Sequence, residues 1–157
     1  MQFVKFLFFT FLALFSAHLS TAQYTKPPET SNETKALTIG ILNGGGGIIG
    51  ADYEFLLGSR FGMQVGIGLV SFGGGFTYHF KPGIRTSAIS LQYYHQGIGN
   101  SFAQNSLGPV FIYRSKKWFT AQLGWGVPLS RGPALPADYT QPPFMLLYSI
   151  GGYITSE

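Results

Sequence analysis

The chain has 157 residues, a formal charge of +4 and no cysteine, and only 10% of its residues are charged whereas 17% are aromatic. A soluble domain usually carries about a quarter charged residues, so the apolar surface must be hidden in a core, against a partner or in lipid. The basic residues are scattered and form no stripe, which argues against nucleic-acid binding. The lack of cysteine excludes a disulfide scaffold and a cysteine-ligated metal site.

Residues 1–22 are predicted to be an export signal. Lys5 provides a positive start, an apolar run follows at 6–15, and the small residues Ser20-Thr21-Ala22 precede the expected cleavage point. The alternative is a membrane anchor, which needs about twenty apolar residues, and polar residues interrupt this run too early. The next segment, 23–35, is polar and proline-containing, so it is predicted to be a flexible lead-in.

From residue 36 onward the sequence alternates with a period of two, which is typical of β-strands. The clearest segment is 61–69, where Phe, Met, Val, Ile and Leu alternate with three glycines and Gln64. Similar alternation occurs at 37–41, 50–57, 76–80, 89–94 and 119–127, and more weakly at 107–114 and 144–154. We therefore expect about eight strands, each about eight to eleven residues long, in one β-barrel domain at 36–157.

The alternation separates bulky apolar side chains from small and polar ones. In a membrane barrel the apolar face points outward, whereas in a barrel that carries ligands in water it points inward. The opposite face is rich in glycine and glutamine, which would make a poor water-exposed surface. Because lipid offers no hydrogen bonds to the backbone, strands cross it only as a closed barrel. The predicted fold is thus all-β, an eight-stranded antiparallel up-and-down transmembrane β-barrel.

The connections between the predicted strands fall into two sets. Short turns are expected at 58–60, 81–85 and 115–117, and the intervening connections at 43–47, 71–74, 97–106 and 130–143, of which the last two are clearly longer. Short and longer connections would then alternate, as they do between the two rims of an outer-membrane barrel. The short-turn rim collects the basic residues Lys35, Arg60, Lys81, Arg85, Lys116 and Lys117. These residues either meet lipid head groups or only make the turns soluble.

The inward face has few candidates for chemistry. Asp52 and Glu54 share it with Arg114, and a carboxylate–guanidinium network would compensate the cost of burying these charges. A glycosidase-type carboxylate pair is the alternative reading of Asp52 and Glu54. His79 also has inward parity. The inward glycines either allow the tight curvature of a small barrel or leave a small internal cavity.

His95 has outward parity at the end of the fifth strand. It is expected at head-group level, in an aromatic girdle with Tyr93 and Tyr94. A lipid-modifying enzyme would need a nucleophile near it, but Ser101 and Ser106 fall in the predicted loop beyond, without a nucleophile–base spacing. We therefore predict no catalytic, cofactor-binding or metal-binding residue. The glycines at 44–47 are expected in a flexible hairpin connection and not in a phosphate loop.

The segments FGMQVGIGL and WFTAQLGWGV, the GADYEF stretch and the export signal together resemble the small eight-stranded outer-membrane barrels of the OmpA/OmpX-like family. The resemblance covers 36–157 and implies a location in the cell outer membrane. The chain departs from this family at its end, where Tyr153 is followed by Ile-Thr-Ser-Glu and the last residue is not aromatic.

The function that these features favour is that of a monomeric outer-membrane barrel with a structural or surface-interaction role and no catalysis. Its partners would be outer-membrane lipid and an unknown surface partner at the 130–143 loop, where Arg131, Asp138 and Tyr139 are the candidate contacts. Three alternatives stay open: a narrow, porin-like pore, a lipid-modifying outer-membrane enzyme, and a soluble periplasmic carrier of the lipocalin type.

Overall fold

A computed structural model describes residues 32–157, so the predicted export signal and most of the lead-in lie outside the described residues. The described part is all-β apart from one four-residue helical element. The strands are β1 (Lys35–Ile41), β2 (Ile49–Leu56), β3 (Phe61–Gly68), β4 (Ser71–His79), β5 (Ala88–Ile98), β6 (Ser101–Arg114), β7 (Phe119–Arg131) and β8 (Met145–Ser156), with α1 (Asn43–Gly46) between β1 and β2. Within 32–157, no helix is long and apolar enough to cross a membrane.

The eight strands form one closed antiparallel barrel. Each strand pairs with the next one in the chain, and β8 closes the ring by pairing with β1 from Lys35↔Ser156 to Ile41↔Ile150. This confirms the predicted eight-stranded, antiparallel, up-and-down topology. The first strands are short, with 7 residues in β1 and 8 in β2, whereas β6 has 14 and β7 has 13. The wall is therefore taller on the side of β6 and β7.

The two ends of the barrel differ. At one end lie the connections 57–60, 80–87 and 115–118 together with the first described residues and the C-terminus, and we call this end the basic rim. At the other end lie 42–48, 69–70, 99–100 and 132–144, and we call this end the loop rim. The predicted alternation of short and longer connections is wrong, because 69–70 and 99–100 are two-residue turns while 80–87 on the basic rim is longer than either.

Two predicted loops belong to strands. The segment 71–74 starts β4, and most of 97–106 lies in β5 and β6, which meet at Gly99 and Asn100. Glycine and polar residues suggest a loop in a sequence, but in a barrel both neighbouring strands supply backbone partners and hold such residues extended. Gly99 has a positive φ of 54°, the conformation that a tight turn requires and that glycine adopts without strain.

The faces of the strands sort as the alternation predicts. On β3, Val65 and Ile67 are 46% and 70% exposed on the outer wall, whereas the inward Gln64 is 4% exposed. The weaker patterns of β6 and β8 have a simple origin, since both strands also send apolar side chains into the barrel. These inward side chains are Val110, Ile112, Leu147 and Tyr153.

Candidate functional site

The interior of the barrel is filled in layers, and the layer nearest the basic rim holds a buried charge cluster. Glu54 lies at its centre: Arg114 Nη2 donates to Glu54 Oε2 at 2.5 Å, and His79 Nε2 lies 2.9 Å from Glu54 Oε1. The side chains of all three residues are at most 3% exposed. Arg114 also lies over the ring of Tyr153, with its guanidinium carbon 5.2 Å from the ring centroid. The cost of burying the Glu54 carboxylate and the Arg114 guanidinium is offset because each faces the opposite charge.

The basic end of the lumen is closed by the connection 80–87, which we call the lid. Its Ile84 is fully buried, and the Ile84 carbonyl accepts a hydrogen bond from Arg114 Nη1. His79 Nδ1 lies 3.1 Å from the carbonyl oxygen of Thr86, so the charge cluster is bonded to the lid at two points. The lid thus places the fully buried side chain of Ile84 at the basic end of the lumen, next to the cluster.

The lid is also held from outside. Arg85 donates from Nε and Nη2 to the carboxylate of Glu33, at 2.5 and 2.8 Å, and from Nη1 to the carbonyl of Lys117 at 3.2 Å. The pKa of Arg85 is raised above its usual value, and the largest cause is the hydrogen bonding of its guanidinium to the Glu33 carboxylate. The predicted lead-in is therefore bound to the barrel at its last residues, since Thr34 N–H also donates to the carbonyl of Ser156.

The middle layer is a row of glutamines. Gln92 Nε2 points between Gln64 Oε1, at 3.4 Å, and Gln122 Oε1, at 3.3 Å, and Tyr94 O–H donates to Gln92 Oε1. Tyr94 is 7% exposed and points inward, so its predicted place in an outer aromatic girdle is wrong. The chain of amide contacts spans the lumen and leaves no charge in this layer.

The loop-rim end of the lumen is occupied by α1 and the residues beside it, which we call the inward turn. Asn43 Nδ2 donates to Asp52 Oδ2 at 2.6 Å, and Gly44 N–H donates to Asp52 Oδ1 at 3.0 Å. Ser71 Oγ donates to the carbonyl of Gly44 at 2.6 Å. The predicted flexible hairpin at 43–47 is wrong, because these residues are folded into the barrel and are mostly buried.

The inward glycines of β3 and β4 make room for the inward turn. A Cβ atom on Gly66 would lie 3.0 Å from the Cα of Gly44, and a Cβ on Gly73 would lie 3.0 Å from the Cα of Gly45. On the inward turn itself, Gly44 and Gly45 have φ values of 68° and 81°, a left-handed conformation that glycine adopts without strain. The inward glycines of β3 and β4 therefore allow the backbone of the inward turn to pack closely against the wall. This role differs from the two that the sequence suggests, tight curvature of the barrel and an internal cavity.

The predicted network of Asp52, Glu54 and Arg114 is thus divided between two layers. Glu54 and Arg114 are in contact, whereas Asp52 binds the inward turn. Sequence reasoning placed His79 inward but did not join it to Glu54, although the shared inward parity and their common nearness to the basic rim were a usable signal. It missed Asn43 and Ile84, because both lie in connections that carry no alternation.

His95 is on the outer wall, as its parity predicts, yet it is only 8% exposed. Its ring lies between Phe72, with a centroid distance of 4.4 Å, and Phe102, at 5.0 Å. In the part of the chain that the structure describes, His95 Nε2 has no hydrogen-bond partner, and Ser106 points into the barrel. Ser101 and His95 show no mutual hydrogen bond among the described contacts. The arrangement is an aromatic stack, without a nucleophile beside the imidazole.

The connection 132–144 is the longest in the described chain and is bonded to β6. Gly132 N–H donates to the carbonyl of Ala103 at 2.7 Å, and Gln141 Nε2 donates to Gln104 Oε1 at 3.2 Å. Of the predicted contact residues, Arg131 donates to the carbonyl of Pro136 and so shapes the loop. Asp138 and Tyr139 are exposed at its tip.

The outer wall carries no charge between the two rims. Among the described residues, every Asp, Glu, Lys and Arg lies in the lumen, on the basic rim or at the loop rim. Three ionic side chains are in the lumen: Asp52, Glu54 and Arg114. The basic rim has Lys35, Arg60, Lys81, Arg85, Lys116 and Lys117 beside two acidic residues, Glu33 and Glu157, while the loop rim has Arg131 and Asp138.

A comparison of the chain with protein-family models, with curated proteins and with solved structures finds no match. No group of three or more potential metal ligands occurs within 32–157. The class that the structure defines is therefore a closed eight-stranded β-barrel with a filled, polar lumen and an apolar outer wall.

Proposed function

We propose that this protein is an outer-membrane barrel of the OmpA/OmpX-like kind, which is exported by a cleaved signal, anchors its loops in the membrane and has a structural or surface-interaction role without catalysis. The observation that carries the proposal is the uncharged outer wall. Isoleucine, leucine, valine and aromatic side chains cover it on all eight strands, and many are more than half exposed, including Ile67 at 70% and Leu123 at 58%.

An apolar wall of this extent is not expected in water. Monomeric proteins rarely expose contiguous apolar patches larger than a few hundred Å². A barrel that carries a ligand in water would reverse the faces, with apolar residues inside and charges outside. Here the lumen holds Glu54, Arg114 and three glutamines instead. This inversion favours a hydrocarbon environment over a soluble periplasmic carrier.

The basic rim has the composition of a membrane interface. Aromatic rings surround the wall just above it, in pairs such as Phe61–Tyr78 at 5.1 Å and Tyr113–Phe119 at 6.2 Å, and Trp118 is exposed beside them. Aromatic girdles with adjacent basic residues are typical of the level of lipid head groups. The wall between the girdle and the loop rim would then lie in the hydrocarbon layer.

The filled lumen favours an anchoring role over a narrow pore. The lid closes the basic end with Ile84, the glutamine layer spans the middle, and the inward turn occupies the loop-rim end. A water-filled path would require at least the lid and the inward turn to leave their places. Their several hydrogen bonds to buried partners oppose this movement.

A surface-interaction role would depend on the connection 132–144. It is tied to β6 by backbone and side-chain hydrogen bonds, so the exposed tip at Asp138 and Tyr139 is presented on a fixed support. Binding residues often lie on loops that a rigid scaffold positions. We propose this tip as the contact for a surface partner.

The test of the membrane proposal is fractionation combined with heat-modifiability. Outer membranes are purified from cells that express the full chain, and boiled and unboiled samples are compared on a denaturing gel. We expect the protein in the outer-membrane fraction and a faster-migrating unboiled band, because a closed barrel resists unfolding in detergent. Recovery from the periplasmic fluid without a mobility shift would refute the proposal. A loop variant, Asp138→Ala with Tyr139→Ala, should leave both results unchanged.

A further inference from the structure

A shallow groove crosses the outer wall close to the basic rim. It has a volume of about 300 Å³ and is lined by apolar and aromatic side chains of four neighbouring strands. The lining side chains are Phe61, Phe76, Tyr78, Ile89, Leu91 and Pro109. Strand pairing arranges them in two rows, because Phe76, Leu91 and Pro109 are cross-strand neighbours and Phe61, Tyr78 and Ile89 form the next row toward the rim.

One basic side chain, that of Arg60, lies at the rim end of the groove. Arg60 Nη1 donates to the hydroxyl of Tyr78 at 3.3 Å, so this guanidinium is held at the rim end of the groove with its other donors unused by the described contacts. Lys81 follows in the lid of the same rim and is exposed. An apolar channel with a cation at one end is complementary to an amphiphile with an anionic head.

We propose that this groove is a binding site for one anionic phospholipid, with an acyl chain along Phe76, Leu91 and Pro109 and the phosphate at Arg60. The proposal rests on the membrane location proposed above and makes it more specific. A guanidinium presents planar donors that match phosphate oxygens, so Arg60 is the positioning group for the head. The groove gives this part of the wall both a shape for one acyl chain and a cation for one head group.

Charge and shape can be tested separately with matched variants. Arg60→Gln removes the cation at the groove, and Arg131→Gln removes one at the opposite rim. Leu91→Trp fills the groove, whereas Leu123→Trp adds the same bulk to an outward position on β7 that does not line it. All four changes lie on the outer wall or at the rims, outside the buried layers.

The experiment is native mass spectrometry of the full-length mature protein in detergent micelles with dioleoyl phosphatidylglycerol or dioleoyl phosphatidylcholine. We expect wild type to retain one phosphatidylglycerol, and Arg60→Gln to reduce this retention about fivefold, the scale of one basic residue near an anionic lipid. Arg60→Gln should leave phosphatidylcholine retention unchanged. Leu91→Trp should reduce retention of both lipids, and the two control variants should behave as wild type.

Three results would overturn the site. These are equal losses for Arg60→Gln and Arg131→Gln, equal losses for the two tryptophan variants, or no retained lipid on a barrel that still shows the gel shift. Each of them would leave the membrane proposal intact, since heat-modifiability is measured independently. Recovery of the protein in the periplasmic fluid would instead remove both proposals.

Discussion

Replacing Glu54 by glutamine should destabilise the barrel more than any other single neutralisation of a carboxylate. The substitution keeps the size of the side chain but removes the charge that both Arg114 and His79 contact, at 2.5 and 2.9 Å. Arg114, whose side chain is 3% exposed, would keep its charge without an anionic partner. Removing one member of a buried ion pair costs about 3–5 kcal/mol, and we expect a loss in this range for Glu54→Gln.

The matched control is Glu33→Gln, which changes the same residue type opposite the same kind of partner. The Glu33 and Arg85 side chains are 24% and 38% exposed, so solvent screens their interaction. Exposed pairs contribute about 0–1 kcal/mol, and the control should lie within that range. The double variant Glu54→Gln with Arg114→Met removes the unpaired charge as well and should recover part of the loss.

The measurement is the free energy of unfolding in urea, on protein refolded into phosphatidylcholine vesicles and followed by tryptophan fluorescence and by the gel shift. The buried variant should unfold at a clearly lower urea concentration than wild type, and the control close to wild type. Similar midpoints for Glu54→Gln and Glu33→Gln would show that the Glu54–Arg114 pair is not desolvated and that water inside the lumen screens it.

Three further substitutions test other parts of the structure in the same urea assay. Gly73→Ala should cost about 1–3 kcal/mol because the added Cβ would lie 2.7 Å from the Tyr93 carbonyl oxygen and 3.0 Å from the Cα of Gly45 in the inward turn, while Gly58→Ala, with open space around its Cβ, should change little; equal effects would contradict the close packing around Gly73. Val65→Lys, in the middle of the outer wall, should cost about 2–4 kcal/mol in a bilayer, and Leu57→Lys at the basic rim much less; a neutral Val65→Lys would indicate that the wall faces water. Ile84→Ala should cost about 2–5 kcal/mol because Ile84 is fully buried in the lid, and an unchanged midpoint would show that the lid does not seal the lumen.

The strands and their faces could be predicted because both depend on residues that are neighbours in the sequence. Period-two alternation assigns each side chain to one face without knowledge of the partner strands. The segment 61–69 therefore predicts Gln64 inside and Val65 outside, and the inward position predicted for Arg114 on β6 is confirmed by its burial in the lumen. Closure is predicted because lipid offers no hydrogen bonds to the backbone, so strands that cross it must leave no unpaired edge.

The connections were predicted less well, because glycine and polar residues have the same local signature in a loop, in a strand and in a plug. The glycines of 71–74 are in β4, where Gly73 packs closely against Gly45, and those of 43–47 are inside the barrel. Neither placement can be derived from local pattern, since each depends on the other one being present. The position of the lid could not be predicted from local pattern either, because Ile84 is a single apolar residue in a polar segment.

The period-two pattern is enough to predict a β-rich chain of about eight strands with one apolar and one polar face, and to place the basic residues near one set of turns. Which interior residues meet depends on how the strands pair and how the connections fold. His79 and Arg114 lie 25 and 60 positions after Glu54 in the chain and contact it inside the lumen, whereas Asp52 binds the inward turn. The physical reason is that the side-chain alternation is a property of each strand, whereas contacts across the lumen depend on the register of all eight strands and on how the connections fold into the space they enclose.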